Sequence, residues 1–190
     1  MKKHLLLFIL LLQLSSAYSQ DKSEREYRIK SSQVAAKALE YVENNFQDVR
    51  IKWYGEENLD GKAVEAKGKK QGNLYSVKFN MNGELQDIEM VMKFGDIAQD
   101  VRNTIEKNLE SRFSKFKLQK TQIQWLGKAS DLASLIRGEN VTGLYTTNYE
   151  ITLRGTKEGL TEYYEILADH TGKIVRESRI LQRTNQNLIY

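Results

Sequence analysis

The chain has 190 residues, with 29 lysines and arginines against 25 aspartates and glutamates and no cysteine. The absence of cysteine excludes disulfide bonds and metal sites built from thiolates. Two of the lysines, Lys2 and Lys3, belong to a predicted leader, so the rest carries 27 basic (29 minus 2) against 25 acidic residues. This near balance argues against nucleic acid as a partner.

The first 19 residues have the pattern of a secretory signal peptide. Lys2 and Lys3 form a charged start, an apolar run extends from Leu5 to Leu12, and Ala17-Tyr18-Ser19 is a small-x-small cleavage site. The apolar run is shorter than the roughly 18 residues that a membrane span needs. We therefore expect cleavage after Ser19 and a periplasmic or secreted protein without stable membrane insertion. An uncleaved membrane anchor is the other interpretation.

Residues 31–94 predict one helix followed by four antiparallel strands. The preceding residues 20–30 are highly charged without a clear period, which predicts a flexible lead-in. Apolar residues between Ala35 and Phe46 follow a helical period, and the period changes to two at Val49-x-Ile51-x-Trp53. Further strands are predicted at 63–67, 75–81 and 85–92, with a type I′ turn at Asn82-Gly83.

Residues 95–181 repeat this order of elements. Asp96 is a predicted cap for a helix that includes Ile97 to Leu109. Thr121-x-Ile123-x-Trp125 follows Val49-x-Ile51-x-Trp53 at an offset of 72 residues, and the hairpins correspond at an offset of 87. Offsets that stay constant within strands indicate a duplicated module, and two unrelated helix-plus-sheet units are the alternative.

We therefore predict an α+β fold of two tandem modules. Each would have a helix, or a helix pair, packed on one face of a four-stranded antiparallel sheet. The second module contains an insertion, Ser130 to Arg137, whose pattern predicts a short helix of unassigned role. Residues 182–190 are predicted to be a polar tail. No proline or low-complexity linker separates the modules, so we expect them to abut.

No known catalytic pattern is present in the sequence. After the leader there is one histidine, His170, which lies in a predicted turn, and there is no Gly-x-Ser-x-Gly or His-Glu-x-x-His motif. The glycine pairs Gly68/Gly72 and Gly155/Gly159 lack the Lys-Ser/Thr ending of a phosphate-binding loop. We predict no enzyme activity, no catalytic residues, no metal site and no cofactor.

The sheet face opposite the predicted helices is rich in cations and tyrosines. Helices would cover one face alone, so we expect this face to be exposed and suited to binding a protein or peptide. The predicted partner-binding residues are Arg50, Lys52, Tyr54, Lys67, Lys69, Lys70, Lys78, Arg154 and Tyr163. An ordinary solvated face of an antiparallel sheet is the other interpretation.

The repeated helix, the Val-x-Ile-x-Trp strand and the hairpin ending in Asn-Gly resemble the PepSY-like family of exported bacterial proteins, which is grouped with β-lactamase inhibitory proteins. The matching ranges are 34–46, 49–53 and 75–85 in the first module and 97–109, 121–125 and 163–174 in the second. The resemblance implies tandem modules, export and a non-enzymatic role. The inhibitor has an Asp-Tyr pair on its inhibitory hairpin, whereas this chain has Lys69-Lys70-Gln71. Inhibition of a β-lactamase is therefore not expected.

The predicted function is an exported protein that engages a protein or peptide through exposed sheet faces and hairpin loops, inhibition being one form of such binding. The alternative is a small-ligand-binding or structural protein of the cell envelope, with a groove between the modules. In that case the insertion Ser130 to Arg137 would act as a flap over the groove.

Overall fold

The computed structural model of the chain describes residues 20–58, 61–141 and 143–181, so the predicted leader and polar tail lie outside the described residues. The helices are α1 (Ala36–Asn45), α2 (Gln99–Arg112) and α3 (Ala129–Arg137). The strands are β1 (Gln20–Lys22), β2 (Arg25–Arg28), β3 (Lys52–Asn58), β4 (Gly61–Lys70), β5 (Asn73–Asn80), β6 (Leu85–Val91), β7 (Lys115–Gly127), β8 (Tyr145–Lys157), β9 (Leu160–Asp169) and β10 (Ile174–Ile180).

All of these strands belong to one mixed sheet, in the order β1-β10-β9-β8-β7-β6-β5-β4-β3-β2. The prediction of two four-stranded modules is therefore wrong. The two expected sheets are joined because β6 pairs with β7, which places Glu89 opposite Gln124 and Met90 opposite Ile123. This pairing satisfies backbone groups that would be free at two separate sheet edges. The alternation of side chains within β6 and β7 does not indicate which strand each of them pairs with.

The sheet closes on itself through its N-terminal strands. β1 pairs in parallel with β10, and β2 pairs in antiparallel fashion with β3, so the two strands lie at opposite edges of the sheet. They are separated by Ser23 and Glu24 alone. The Cα atoms of Lys22 and Arg25 are therefore at most about 11 Å apart. The two edges must lie side by side, with the segment 20–28 completing the circuit between them.

Residues 20–30 are consequently not the flexible lead-in that their composition predicts. The backbone of Ile29 continues the pairing, since its N–H donates to the Trp53 carbonyl at 3.1 Å. Tyr27 packs over Gly55, where an added Cβ would lie 2.8 Å from the tyrosine ring. The charged side chains of this segment alternate around the backbone as they do in any strand, and Lys22 and Glu26 pair with the distant residues Glu165 and Lys67.

Two hydrophobic cores lie between the helices and the outer face of the sheet. Ala38, Val42 and Phe46 of the α1 region pack on β3 to β6, and Ile105 and Leu109 of α2 pack on β8 and β9. Both helices follow the predicted apolar stripes. Ala35 and Ala98 occupy the N-cap positions, and neither makes a side-chain capping hydrogen bond.

The inserted helix α3 belongs to the first core, although it follows β7 in the chain. Leu132 and Ile136 are buried in that core, and Arg137 Nη1 donates to Asn45 Oδ1 of α1 at 2.8 Å. Gly138 ends the helix with a left-handed φ of 74°. Such packing suits a structural helix rather than a flap. No described helix has the length and apolar character of a membrane span.

The tight hairpin turns differ from the prediction. Gln71-Gly72 and Glu158-Gly159 both have two consecutive positive φ values, 50° and 88° in the first turn and 52° and 81° in the second. This is the geometry of type I′ turns. At Asn82-Gly83 the positive φ belongs to Gly83 alone. There the Asn80 side chain accepts bonds from the N–H groups of Asn82 and Glu84, which favours a wider turn.

Candidate protein-interaction surface

The sheet face opposite the helices is the inner face of the closed sheet. It carries buried polar side chains that no helix covers: Glu56, Glu65, Ser76, Glu89, Gln122, Gln124, Asn148, Glu165 and Ser178. Closure buries them because strands on opposite sides of the circuit face one another. The expectation that this face is open to solvent is therefore wrong for its central part.

Ion pairs across strands fill this interior. Lys78 Nζ of β5 lies 2.7 Å from Glu56 Oε2 of β3, and Lys67 of β4 pairs with Glu26 of β2. On the other side, Lys22 of β1 contacts Glu165 of β9 at 2.5 Å. Because removal of one partner would leave a buried charge uncompensated, these pairs constrain which strands can lie opposite each other.

Excess carboxylates raise several pKa values inside the sheet. Burial is the largest cause for Asp87 and Glu89, and neighbouring carboxylates add to it, so that the pKa of each rises to about 7. Burial is also the largest cause of the raised pKa of Glu150, followed by the charges of Glu165 and Glu89. These groups therefore hold protons at pH values where exposed carboxylates are ionised.

Three of the predicted binding residues are engaged inside the sheet. The Tyr54 ring lies 5.0 Å from the Lys67 ammonium and 5.0 Å from the guanidinium of Arg28. Lys67 also pairs with Glu26 of β2. Lys78 is held by Glu56, and burial, which lowers its pKa, is outweighed by the surrounding carboxylates, so the pKa is raised.

Lys70 points away from the inner face. Its ammonium donates to the Asn45 carbonyl at 2.7 Å and lies 5.5 Å from the centre of the Phe46 ring. These contacts hold the C-terminal end of α1 against the hairpin between β4 and β5. The structure does not bring Lys70 together with the inner-face cations that the sequence groups with it.

The remaining predicted residues lie at the margin of the sheet. Arg50, Lys52, Lys69 and Arg154 are exposed, and Tyr163 is half-buried directly opposite Arg154 in the β8–β9 pair. Lys52 lies opposite Lys67, and Lys69 lies opposite Leu74. The structure thus assembles two small groups, one on each long hairpin.

Both long hairpins turn at the same end of the sheet, which we call the hairpin rim: residues 69–74 of β4–β5 and 154–163 of β8–β9. Two leucines there are strongly exposed, Leu74 at 43% and Leu160 at 64%. Leu74 lies directly opposite the exposed Lys69, and Leu160 lies opposite Lys157, three paired positions from Arg154. Sequence reasoning missed both leucines, because an apolar residue at a strand start is normally assigned to the core.

Lys117 is a further residue that the sequence analysis missed. It is exposed and lies directly opposite Arg154 in the β7–β8 pair. Its register depends on a bulge between Leu118 and Lys120, which shifts the alternation of β7. An alternation template without that bulge assigns Lys117 to the wrong face.

The described residues contain no group of three or more histidine, cysteine, aspartate or glutamate side chains arranged to hold a metal ion. His170 is an exposed residue of the turn between β9 and β10. Two depressions lie on the helix side. One of about 200 Å³ is lined partly by Leu39, Phe46 and Trp53, and one of about 480 Å³ lies along α2.

Comparison with solved structures shows a shared fold. A candidate periplasmic protein from Bacteroides eggerthii DSM 20697 aligns with a TM-score of 0.52 and 13% identity, covering 80% of this chain and 93% of that one. A BLIP-like protein from Bacteroides fragilis NCTC 9343 aligns with a TM-score of 0.51 and 13% identity, covering 82% and 93%. No protein-family model and no curated protein matches the chain. At this identity the likeness describes the fold, which is BLIP-like.

Proposed function

We propose that this chain is an exported, non-enzymatic protein that binds a protein or peptide partner in the periplasm or outside the cell. The observation that carries the proposal is the contrast between the interior of the closed sheet and its hairpin rim. The interior is filled by its own ion pairs, whereas the rim presents the exposed Leu74 opposite the exposed Lys69 and the exposed Leu160 at the start of β9. Apolar side chains that stay exposed next to charged ones are typical of protein-binding surfaces.

The predicted signal peptide and the BLIP-like fold support the exported location. The same fold in a protein described as candidate periplasmic agrees with that proposal. Four of the predicted binding residues remain part of this proposal. Lys69, Arg154 and Tyr163 belong to the hairpin rim, and Lys52 lies beside it. Tyr54, Lys67 and Lys78 stabilise the interior in this proposal, and Lys70 anchors α1.

The alternative, a small-ligand or structural envelope protein, has weaker support. The apolar depression at α1 is smaller than the roughly 300 to 1,000 Å³ of typical ligand sites. It lies beside the first core rather than in a groove between two modules. The α3 helix, expected as a flap in that alternative, packs against α1.

Affinity capture from a periplasmic extract of cells that express the protein tests this function. The bait is the chain from Gln20 onward, compared with a variant that carries Leu74→Ser and Leu160→Ser. Met81→Ser is the matched control, since Met81 is 53% exposed at the opposite end of the sheet. We expect a partner that is retained by wild type and by the control and is lost with the double variant. Equal recovery by all three baits, or no partner at all, would contradict the proposal.

A further inference from the structure

One part of β7 has a free edge. The ladder between β6 and β7 ends where Val91 lies opposite Gln122, and a last bond joins the Met92 N–H to the Thr121 carbonyl at 3.0 Å. From Lys115 to Lys120, β7 pairs with β8 on one side, and no described strand continues along the other. This open edge of six residues spans about 17 Å.

The side chains next to this edge form an uncompensated cationic group. Lys117 and Arg154 lie directly opposite each other, and like charges in that position repel. Within the described ranges neither side chain has an ion-pair partner. Lys115 is exposed on the same face, two residues away from Lys117. These cations therefore repel one another, and an acidic group placed next to them would reduce that repulsion.

The first hairpin shows what relieves the same arrangement. Lys67 lies three paired positions before the type I′ turn of β4–β5, as Arg154 does in β8–β9, and a lysine of the preceding strand lies opposite each of them. In the first hairpin, β2 covers the edge of β3 and sends the Glu26 carboxylate onto Lys67, where Glu65 also lies. At the position of Glu65, two residues before the hairpin cation, the second hairpin has Thr152. A strand with an acidic side chain is thus present at the first hairpin, and no described strand supplies one at the second.

We propose that the open edge of β7 from Lys115 to Lys120 accepts an extended, carboxylate-bearing segment of a partner protein as an added antiparallel strand. The inference rests on the proposed protein-binding function and specifies a second site on the same molecule. Backbone hydrogen bonds of the added strand supply affinity, and Lys115 and the Lys117–Arg154 pair select acidic side chains at alternate positions. Gln119, whose amide donates weakly to the Lys117 carbonyl at 3.4 Å, gives up that bond when the strand adds.

The test uses a short synthetic peptide in which glutamate alternates with valine and threonine. Its binding to the chain from Gln20 onward is followed by shifts of backbone amide resonances in nuclear magnetic resonance spectra. We expect saturable shifts confined to β7 between Lys115 and Lys120 and to the paired part of β8. A peptide with glutamine in place of glutamate, and one with N-methyl groups on alternate backbone amides, should each bind at least tenfold more weakly.

Two matched variants separate this site from general electrostatic attraction. Lys117→Glu and Lys52→Glu make the same change in charge, but β2 and Ile29 pair with β3 as far as Trp53, the neighbour of Lys52. We expect Lys117→Glu to weaken peptide binding roughly tenfold and Lys52→Glu to leave it within about twofold, with thermal unfolding confirming that both variants fold. Equal weakening by both variants, tight binding of the N-methylated peptide, or no binding at all would overturn the proposal.

The outcome is independent of the capture experiment. If the peptide fails to bind but a partner is still lost with the Leu74 and Leu160 variant, the edge site is wrong and the protein-binding function stands. If the peptide binds at β7 while no partner depends on the hairpin rim, the edge is the site and the rim is not.

Discussion

Single carboxylates inside the closed sheet make the stability of the protein dependent on pH. Glu89 is buried and accepts a hydrogen bond from Gln122 Nε2 at 2.8 Å, with the charge of Asp87 nearby. Burial, followed by that neighbouring charge, raises the pKa of Glu89 to about 7, above the ordinary value of 4.5. The folded state therefore binds more protons than the unfolded state between these two values. Stability must fall as the pH rises through that window.

We expect the free energy of unfolding, measured by urea titration, to be larger at pH 5.5 than at pH 8. The Glu89→Gln variant should lose about 2 kcal/mol of that difference, because an amide cannot release the proton. Exposed Glu110→Gln on α2 is the control and should leave the pH profile unchanged. A wild-type protein that is more stable at pH 8, or a Glu89→Gln profile identical to that of wild type, would show that Glu89 is ionised in the folded state.

At the scale of elements, the N-terminal segment 20–28 acts as one strand that serves two edges. Its first part pairs with β10 and its second part with β3. Its charged side chains also pair with both sides, as in the contacts of Lys22 with Glu165 and of Glu26 with Lys67. Loss of this segment should therefore destabilise β3 and β10 together, although these strands are far apart in the sequence.

Deletion of residues 20–28 tests this role by hydrogen exchange. We expect the amides of β3 and those of β10 to lose protection together, since both edges become unpaired. The amides of β5 and β8, which keep both of their neighbouring strands, should stay protected. Loss of protection in β3 alone would mean that β1 does not hold β10.

Local patterns in the sequence predict most elements but not their assembly. The periods at Ala38 to Phe46 and at Val77 to Met81 correctly predict a helix and a strand, because each depends on neighbours in the chain. The β6–β7 pairing and the two contacts of segment 20–28 are non-local, so no period reports them. Alternation places Lys67 and Lys78 on the polar face. It does not reveal that closure of the sheet turns that face inward.

At the scale of the whole molecule, the residues that stabilise the closed sheet differ from those of the proposed binding sites. The interior ion pairs occupy the polar face, so the proposed binding sites are the hairpin rim and the open edge of β7. The same closure explains why ten strands form one sheet with two separate hydrophobic cores on its outer side. Closure requires β3 and β10 to be neighbours across the segment 20–28.

The distance between β3 and β10 tests that claim most directly. The chain lacks cysteine, so Glu57→Cys and Arg179→Cys provide unique sites for two spin labels. Their pairing with Arg25 and Asp21 puts the two Cα atoms roughly 16 Å apart in the closed sheet. In an open sheet, seven strand spacings would separate them by about 34 Å. We predict an electron–electron distance distribution centred below about 25 Å, and a distribution centred above about 30 Å would contradict closure.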